Sequence, residues 1–370
     1  MSEQKGSFNS IQRPLIIDAH LDLSMNALEY NRDLTQPIDK IRAREMGLTD
    51  KMDREKGVVS LPALREGRIG IVVATQIARY VEEGSDLPGW HSPEQAWAQS
   101  QGQLAWYKAM ESSGEMKQIK NLDDLDKHLS LWNDFNISDL EKPIGYILSL
   151  EGADSLVTLE NLDVAWEYGL RALGPAHYGP GRYANGTGMT EPLGDKGIAL
   201  LKKMDRLGMI LDVTHLTDKS FYQAMDIYTG PVWASHHNCR SLADHQRQLT
   251  DDQIKILIER DAVIGASLDV WMIVPGWIRG KSDPVKDGAP LEKIIDHWDH
   301  ICQIAGNTNH IAMGSDLDGM FGKEQSPYDL ETIADLQKIP ELLGNRGYTK
   351  EDIMKIMHGN WLRAIKNAWG

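Results

Sequence analysis

Cysteine is nearly absent from this chain: 370 residues hold only Cys239 and Cys302. That excludes a multi-disulfide framework and a metal site built from thiolates, and leaves Cys239–Cys302 as the only disulfide the sequence permits. Positive charge is also scarce. Lys and Arg total 39 against 54 Asp and Glu, a net charge of −15, so nucleic-acid phosphates or an anionic bilayer would be repelled. No stretch approaches the ~18–20 apolar residues that cross a bilayer, and the polar opening, residues 1–12, lacks the apolar core of a signal peptide. The expectation is a soluble, cytoplasmic protein with no nucleic-acid or membrane partner. Repeats, low-complexity tracts and Pro/Ser-rich linkers are missing as well, so residues 1–370 read as one domain. No Gly-x-Ser-x-Gly elbow offers a nucleophile, and no glycine-rich phosphate fingerprint stands between a strand and a helix. The glycine-rich stretch 179–188 reads instead as a loop.

What the chain does have is alternation. Eight short apolar runs, at 14–17, 69–74, 144–150, 170–173, 209–213, 231–234, 262–266 and 311–313, are separated by helical patterns. Those patterns include 92–110, 196–207, 218–228, 249–260, 291–305 and 329–343. Alternating strands and helices predict a parallel sheet, and eight strands favour closure into a (β/α)8 barrel over an open sheet. One connection, 24–66, is long and charged, as lids and binding elements are.

The polar chemistry falls where such a barrel keeps its active site, at the C-terminal ends of the strands. His20 and Asp22, in Asp18-Ala19-His20-Leu21-Asp22, stand two apart and can face the axis together as ligands for zinc or a similar ion. A structural His–Asp pair is the alternative. Glu151 ends an apolar strand, where a carboxylate is costly to bury unless it is paired or metal-bound. It either bridges two metals or caps the next helix. His215 and His236 end successive strands and would be neighbours around the mouth. Adjacent His237 faces the other way, so His236 is the preferred ligand. In Gly314-Ser315-Asp316-Leu317-Asp318-Gly319, both aspartates share a parity. Asp316, nearer the strand end, is the candidate general base and acid. His177 suits a developing oxyanion, or is an ordinary loop histidine. Arg247 suits a substrate carboxylate, or is a solvated loop arginine. His91, His128, His297, His300, His310 and His358 lack a strand-end setting. Two carboxylates and three imidazoles together match a two-metal hydrolytic site.

These residues resemble the membrane (renal) dipeptidases, zinc peptidases of family M19 with an amidohydrolase-type barrel. The likeness runs from Asp18-Ala19-His20-Leu21-Asp22-Leu23 through Leu61-Pro62-Ala63-Leu64-Arg65-Glu66-Gly67, Ser149-Leu150-Glu151-Gly152-Ala153, Asp212-Val213-Thr214-His215 and Ser235-His236. It closes on the Gly-x-Asp-x-Asp-Gly cluster and His358-Gly359-Asn360-Trp361-Leu362-Arg363. The resemblance implies two zinc ions per chain, one on His20 and Asp22 and the other on His215 and His236, with Glu151 bridging. It implies that Asp316 transfers protons, that His177 contacts the scissile group, and that Arg247 holds the substrate carboxylate. The substrate would be a dipeptide and the assembly a homodimer. Two stretches depart from the family pattern. Ser267-Leu268-Asp269-Val270-Trp271-Met272 replaces an aromatic and proline motif after the seventh strand, and 26–56 is unusually charged. A metal-dependent amidohydrolase of N-acyl amino acids is the rival reading, and a catalytically silent metal-bound scaffold is the rival from another class.

Overall fold

The strands are short, and their order around the ring is what positions the site. The computed structural model describes residues 13–370. The polar opening 1–12 therefore lies outside the described residues. Nine strands run β1 (Ile16–Leu21), β2 (Ile69–Ile77), β3 (Met116–Gln118), β4 (Ile144–Glu151), β5 (Leu170–Gly174), β6 (Ile210–Asp212), β7 (Val232–Trp233), β8 (Ile264–Ala266) and β9 (Ile311–Met313). All pairings are parallel. One sheet has the order β1-β2-β4-β5-β6-β7, and β8 pairs with β9. The eight expected strands are all present. β3 is an addition that pairs with β4 outside that path, and its three residues carry no apolar run that would mark it in the sequence.

Two seams close the ring. Between β7 and β8 there is a single bridge, Ala234 to Ile264, supported by hydrogen bonds from Gly265 N to Ala234 O and from His237 N to Gly265 O. Between β9 and β1, Asp316 N donates to His20 O and Ser315 N to the Asp18 carboxylate. A Cβ built on Gly265 or Gly314 would lie within 2 Å of the Ser235 carbonyl oxygen. Only glycine lets these strands approach so closely.

Inward residues of the strands, Ile17, Ala19, Ile71, Val73, Ile147, Ala172, Ile210, Trp233 and Ala312, fill the barrel as one buried cluster with Trp361. Their partners of opposite parity, such as Ile16, Val72, Leu148 and Leu211, pack against the helices. Those helices start where the sequence caps them. Pro93–Ser112, Leu122–Trp132, Asp218–Ile227 and Asp251–Glu259 follow Ser92, Asn121, Thr217 and Thr250, each of whose side chains accepts a backbone N–H of the first turn. The helical pattern expected across 329–343 is split: a 3-10 turn, Ile333–Lys338, gives way to an α-helix, Ile339–Asn345. Pro340 belongs in a first helical turn, so the α-helix begins beside it rather than running through it.

The connection 24–66 is not an open loop. It contains the helices Leu23–Leu28, Ile38–Arg44 and Leu61–Glu66 and a buried ion network. Arg32 bonds Glu45 and Asp53, while Arg54 bonds Glu45 and Asp50. Cys239 and Cys302 are free thiols, so the one permitted disulfide is not formed. Among the described residues, no helix is long and apolar enough to cross a membrane.

Candidate metal centre

Every residue singled out for the mouth of the barrel lines or borders one cavity of about 220 Å³. Glu151 stands at its centre. Its Oε2 lies 3.5 Å from His20 Nε2, and its Oε1 lies 3.3 Å from His215 Nε2 and 3.6 Å from His236 Nε2. His20 Nε2 is also 3.8 Å from Asp22 and 3.9 Å from Asp316. Glu151 ends β4 in phase with inward Ile147, so its side chain follows the strand's alternation. His20 is one step out of phase with inward Ile17 and Ala19. The β1–β2 register breaks between Asp18 and Leu21, and that irregularity brings its ring to the mouth. His215 and Asp316 reach theirs through left-handed backbone, at φ 68° and 59°.

Three donor groups result: His20, Asp22 and Glu151; Glu151, His215 and His236; and His20, His236 and Asp316. Within each, one ligand atom per residue lies within 4.8 Å of the others. Two further observations test the fit to a cation. His20 Nε2 is buried and makes no hydrogen bond despite facing three carboxylates. Burial opposes its charging, yet Glu151, Asp22 and Asp316 outweigh that and push it up to about 10. Burial and Glu151 likewise push Asp22 up to about 6, and burial holds Asp316 well above the usual carboxylate range. The cluster calls for positive charge, and its mix of imidazole and carboxylate suits a divalent metal.

Hydroxyls set the outer faces of these ligands. Thr187 Oγ1 lies 2.9 Å from His215 Nδ1, Ser235 Oγ lies 2.9 Å from His236 Nδ1, and Thr75 Oγ1 bonds Asp22. A hydroxyl that accepts from Nδ1–H leaves the Nε2 lone pair free for a metal. None of the three emerges from the sequence reading. Ser235 adjoins its histidine, and Thr187 sits in the glycine-rich stretch 179–188, which does lie over the mouth. His177 Nε2 is 4.0 Å from Glu151, and its Nδ1 faces Arg79. Burial, with Arg79 and Arg247 nearby, holds His177 down to about 3 although Glu151 opposes this. Arg247 is buried. Its Nη2 donates to His236 O, and its Nη1 has no partner.

Asp318, the sequence partner of Asp316, serves elsewhere: its carboxylate accepts from Val58 N and Val59 N and ties the 24–66 connection to the end of β9. His237 packs against Thr214. Among the described residues, none of the six histidines without a strand-end setting joins the donor groups. Asp269, Trp271 and Met272, from the stretch that departs from the family pattern, line the cavity.

A parallel β/α barrel that brings carboxylates and imidazoles together at the C-terminal ends of its strands has the donor set for metal-assisted hydrolysis. The profile of the membrane dipeptidases, peptidase family M19, matches residues 8–369, and the chain belongs to that family. It is thereby a hydrolase of the dipeptidase class. An uncharacterized protein in the pqqA 5′ region of Klebsiella pneumoniae is 29% identical over 239 residues, 62% of this chain and 84% of that protein. An uncharacterized dipeptidase of Schizosaccharomyces pombe is 26% identical over 288 residues, 73% of this chain and 66% of that one. The crystal structure of the dipeptidase AC, a metallopeptidase of family M19, shares the fold. Its TM-score is 0.76 at 22% identity, covering 97% of this chain and all of that one.

Proposed function

We propose that this chain, acting as a single barrel domain over 1–370, is a zinc-dependent dipeptidase with a binuclear centre. His20 and Asp22 hold one zinc, His215 and His236 hold the other, and Glu151 bridges them. The observation that carries this reading is the division of labour within Glu151, whose Oε2 faces His20 while its Oε1 faces His215 and His236. Two zinc ions there supply Lewis acidity, which lowers the pKa of water toward ~7 and polarises a scissile carbonyl.

The rest of the chemistry belongs to the side chains. Asp316 takes the proton of the attacking water and returns it to the leaving amine as the C–N bond breaks. Burial favours its protonated form, which suits a group that must hold a proton between the two events. His177 Nε2 donates to the carbonyl oxygen as negative charge develops there. Arg247 has a buried, unpartnered Nη1 and uses it to hold the substrate's C-terminal carboxylate, a charge-assisted bond of the stronger kind.

The test is product release by zinc-loaded protein across a matrix of L,L-, L,D- and D,L-dipeptides with N-acylated controls. Cleavage confined to free-amine dipeptides supports the reading. Cleavage of the N-acyl compounds alone transfers the function to an N-acyl amino acid amidohydrolase. Silence across the matrix with two metals bound leaves a metal-bound scaffold.

A further inference from the structure

We propose that Arg79 is a positioning residue that fixes the tautomer of His177, so that this histidine meets the substrate only as a hydrogen-bond donor. The inference rests on the dipeptidase reading for what His177 touches, and on geometry for everything else.

Arg79 lies two residues beyond the end of β2. Its Nη1 donates to Pro88 O at 2.9 Å, and its Nη2 stands 2.5 Å from His177 Nδ1. A guanidinium has donors only and keeps its charge in proteins. His177 Nδ1 must therefore offer its lone pair, and the ring's single proton must sit on Nε2. That nitrogen is 4.0 Å from Glu151 Oε1, too far for a hydrogen bond, so its N–H is left to the cavity that His177 lines. The ring is held in place from both sides. Tyr178 and His215 meet it edge-on at centroid distances of 5.1 and 4.7 Å. Its backbone is pinned by Gly186, where a Cβ would fall 1.7 Å from His177 O.

The partner's chemistry decides the role. A carboxylate or backbone carbonyl at Nδ1, the common arrangement, would select Nδ1–H and leave a basic lone pair on Nε2. His215 and His236 have hydroxyls at Nδ1, which can accept that proton and so permit the Nε2 lone pair a metal ligand needs. A cation at Nδ1 does the reverse. It bars His177 from taking a proton at Nε2, leaves proton transfer to Asp316, and keeps an N–H ready for an oxyanion. Among these three rings only His177 has a donor-only group behind it, and only there does the partner dictate the tautomer.

The experiment is a two-bond proton–nitrogen correlation on the full chain, 15N-labelled at histidine and loaded with zinc, paired with steady-state kinetics on a free dipeptide. His177 is assigned by the signals lost in His177→Gln. The expected wild-type pattern is a protonated Nε2 and an unprotonated Nδ1. Arg79→Met should mix the tautomers and lower kcat about 10–100-fold, part of the ~10²–10³ that one oxyanion donor supplies, while KM stays within about twofold. Arg79→Lys keeps a donor and should restore the wild-type pattern and most of kcat. In a His177→Gln background, Arg79→Met should cause no further loss.

A proton on His177 Nδ1 in the wild-type protein overturns the proposal, and this readout requires no variant to fold. So does a normal tautomer and kcat in Arg79→Met, or a full loss in the His177→Gln background. If no dipeptide is cleaved but the Arg79-dependent Nε2 proton is seen, the tautomer assignment stands and the dipeptidase reading fails.

Discussion

His215 and Asp316 both adopt positive φ, a conformation that typically costs a non-glycine residue about 1–3 kcal/mol. Both belong to the donor groups at the mouth, so the backbone is strained where the side chains must converge. Asparagine tolerates this region well, which makes Asp316→Asn a clean probe. It should fold, retain both zinc ions by elemental analysis, and lose about 10²–10⁴ in kcat, the usual reach of one general acid–base. Retention of full activity would remove Asp316 from proton transfer. A second prediction concerns Thr187, whose hydroxyl sits behind His215. Thr187→Val should weaken zinc binding about 10–100-fold in competition with a chelating dye, as loss of a ligand's outer partner does. The donor residues that meet at the mouth were legible in the sequence because each closes or follows an apolar run. Thr75, Thr187, Ser235 and Arg79 were not. Their significance lies in the atom they face across the barrel, and no local spacing encodes that.

Among the elements, the 24–66 connection shows how charge can mislead. Its many ionic residues read as a lid or binding element, yet Arg32, Glu45, Asp53 and Arg54 are buried and satisfy one another. The sequence displayed the charges but not their pairing, because the partners lie in separate irregular segments between the helices. A different ion pair braces the segment that carries Arg247. Arg240 makes two bonds to Asp218 and also holds the carbonyls of Gln246 and Gln248. Burial opposes ionisation of Asp218, but the Arg240 hydrogen bonds outweigh it and hold the carboxyl below its usual range. A depressed folded value means that the brace contributes its full stability above the unfolded carboxylate value, ~3.9, and loses it as pH falls below that toward the folded one. KM for dipeptides should therefore rise in acid below about pH 4 more steeply in the wild-type protein than in Asp218→Asn, whose weaker brace no longer titrates. Parallel pH profiles for the two proteins would detach Arg240 from substrate binding.

For the molecule as a whole, the ring was predictable because strand and helix signals alternate eight times, and its two seams were not. Gly265 and Gly314 look like ordinary strand glycines until Ser235 O is found against both. The two proposed zinc sites draw on the ends of β1, β4, β6 and β7, strands of one sheet, through His20, Asp22, Glu151, His215 and His236. Bound zinc should therefore tie those strand ends together and stabilise the folded chain. With free zinc at ~1,000 times Kd the gain is about 4 kcal/mol, so chelation should lower Tm by several degrees in calorimetry, and re-addition should restore it. An unchanged Tm would mean that the ions bind without bracing the barrel.

The ring's order in space also governs when the molecule becomes competent in time. His20 stands in the first strand of the ring. Asp316 and β9, which close against β1, are made long after it, Ser315 and Asp18 lying 297 residues apart where they bond, and contacts so distant in sequence form slowly. A nascent chain halted before residue 311 lacks both Asp316 and the strand that shuts the ring. The mouth is therefore completed in one late step, when β9 brings Asp316 to His20 across the seam.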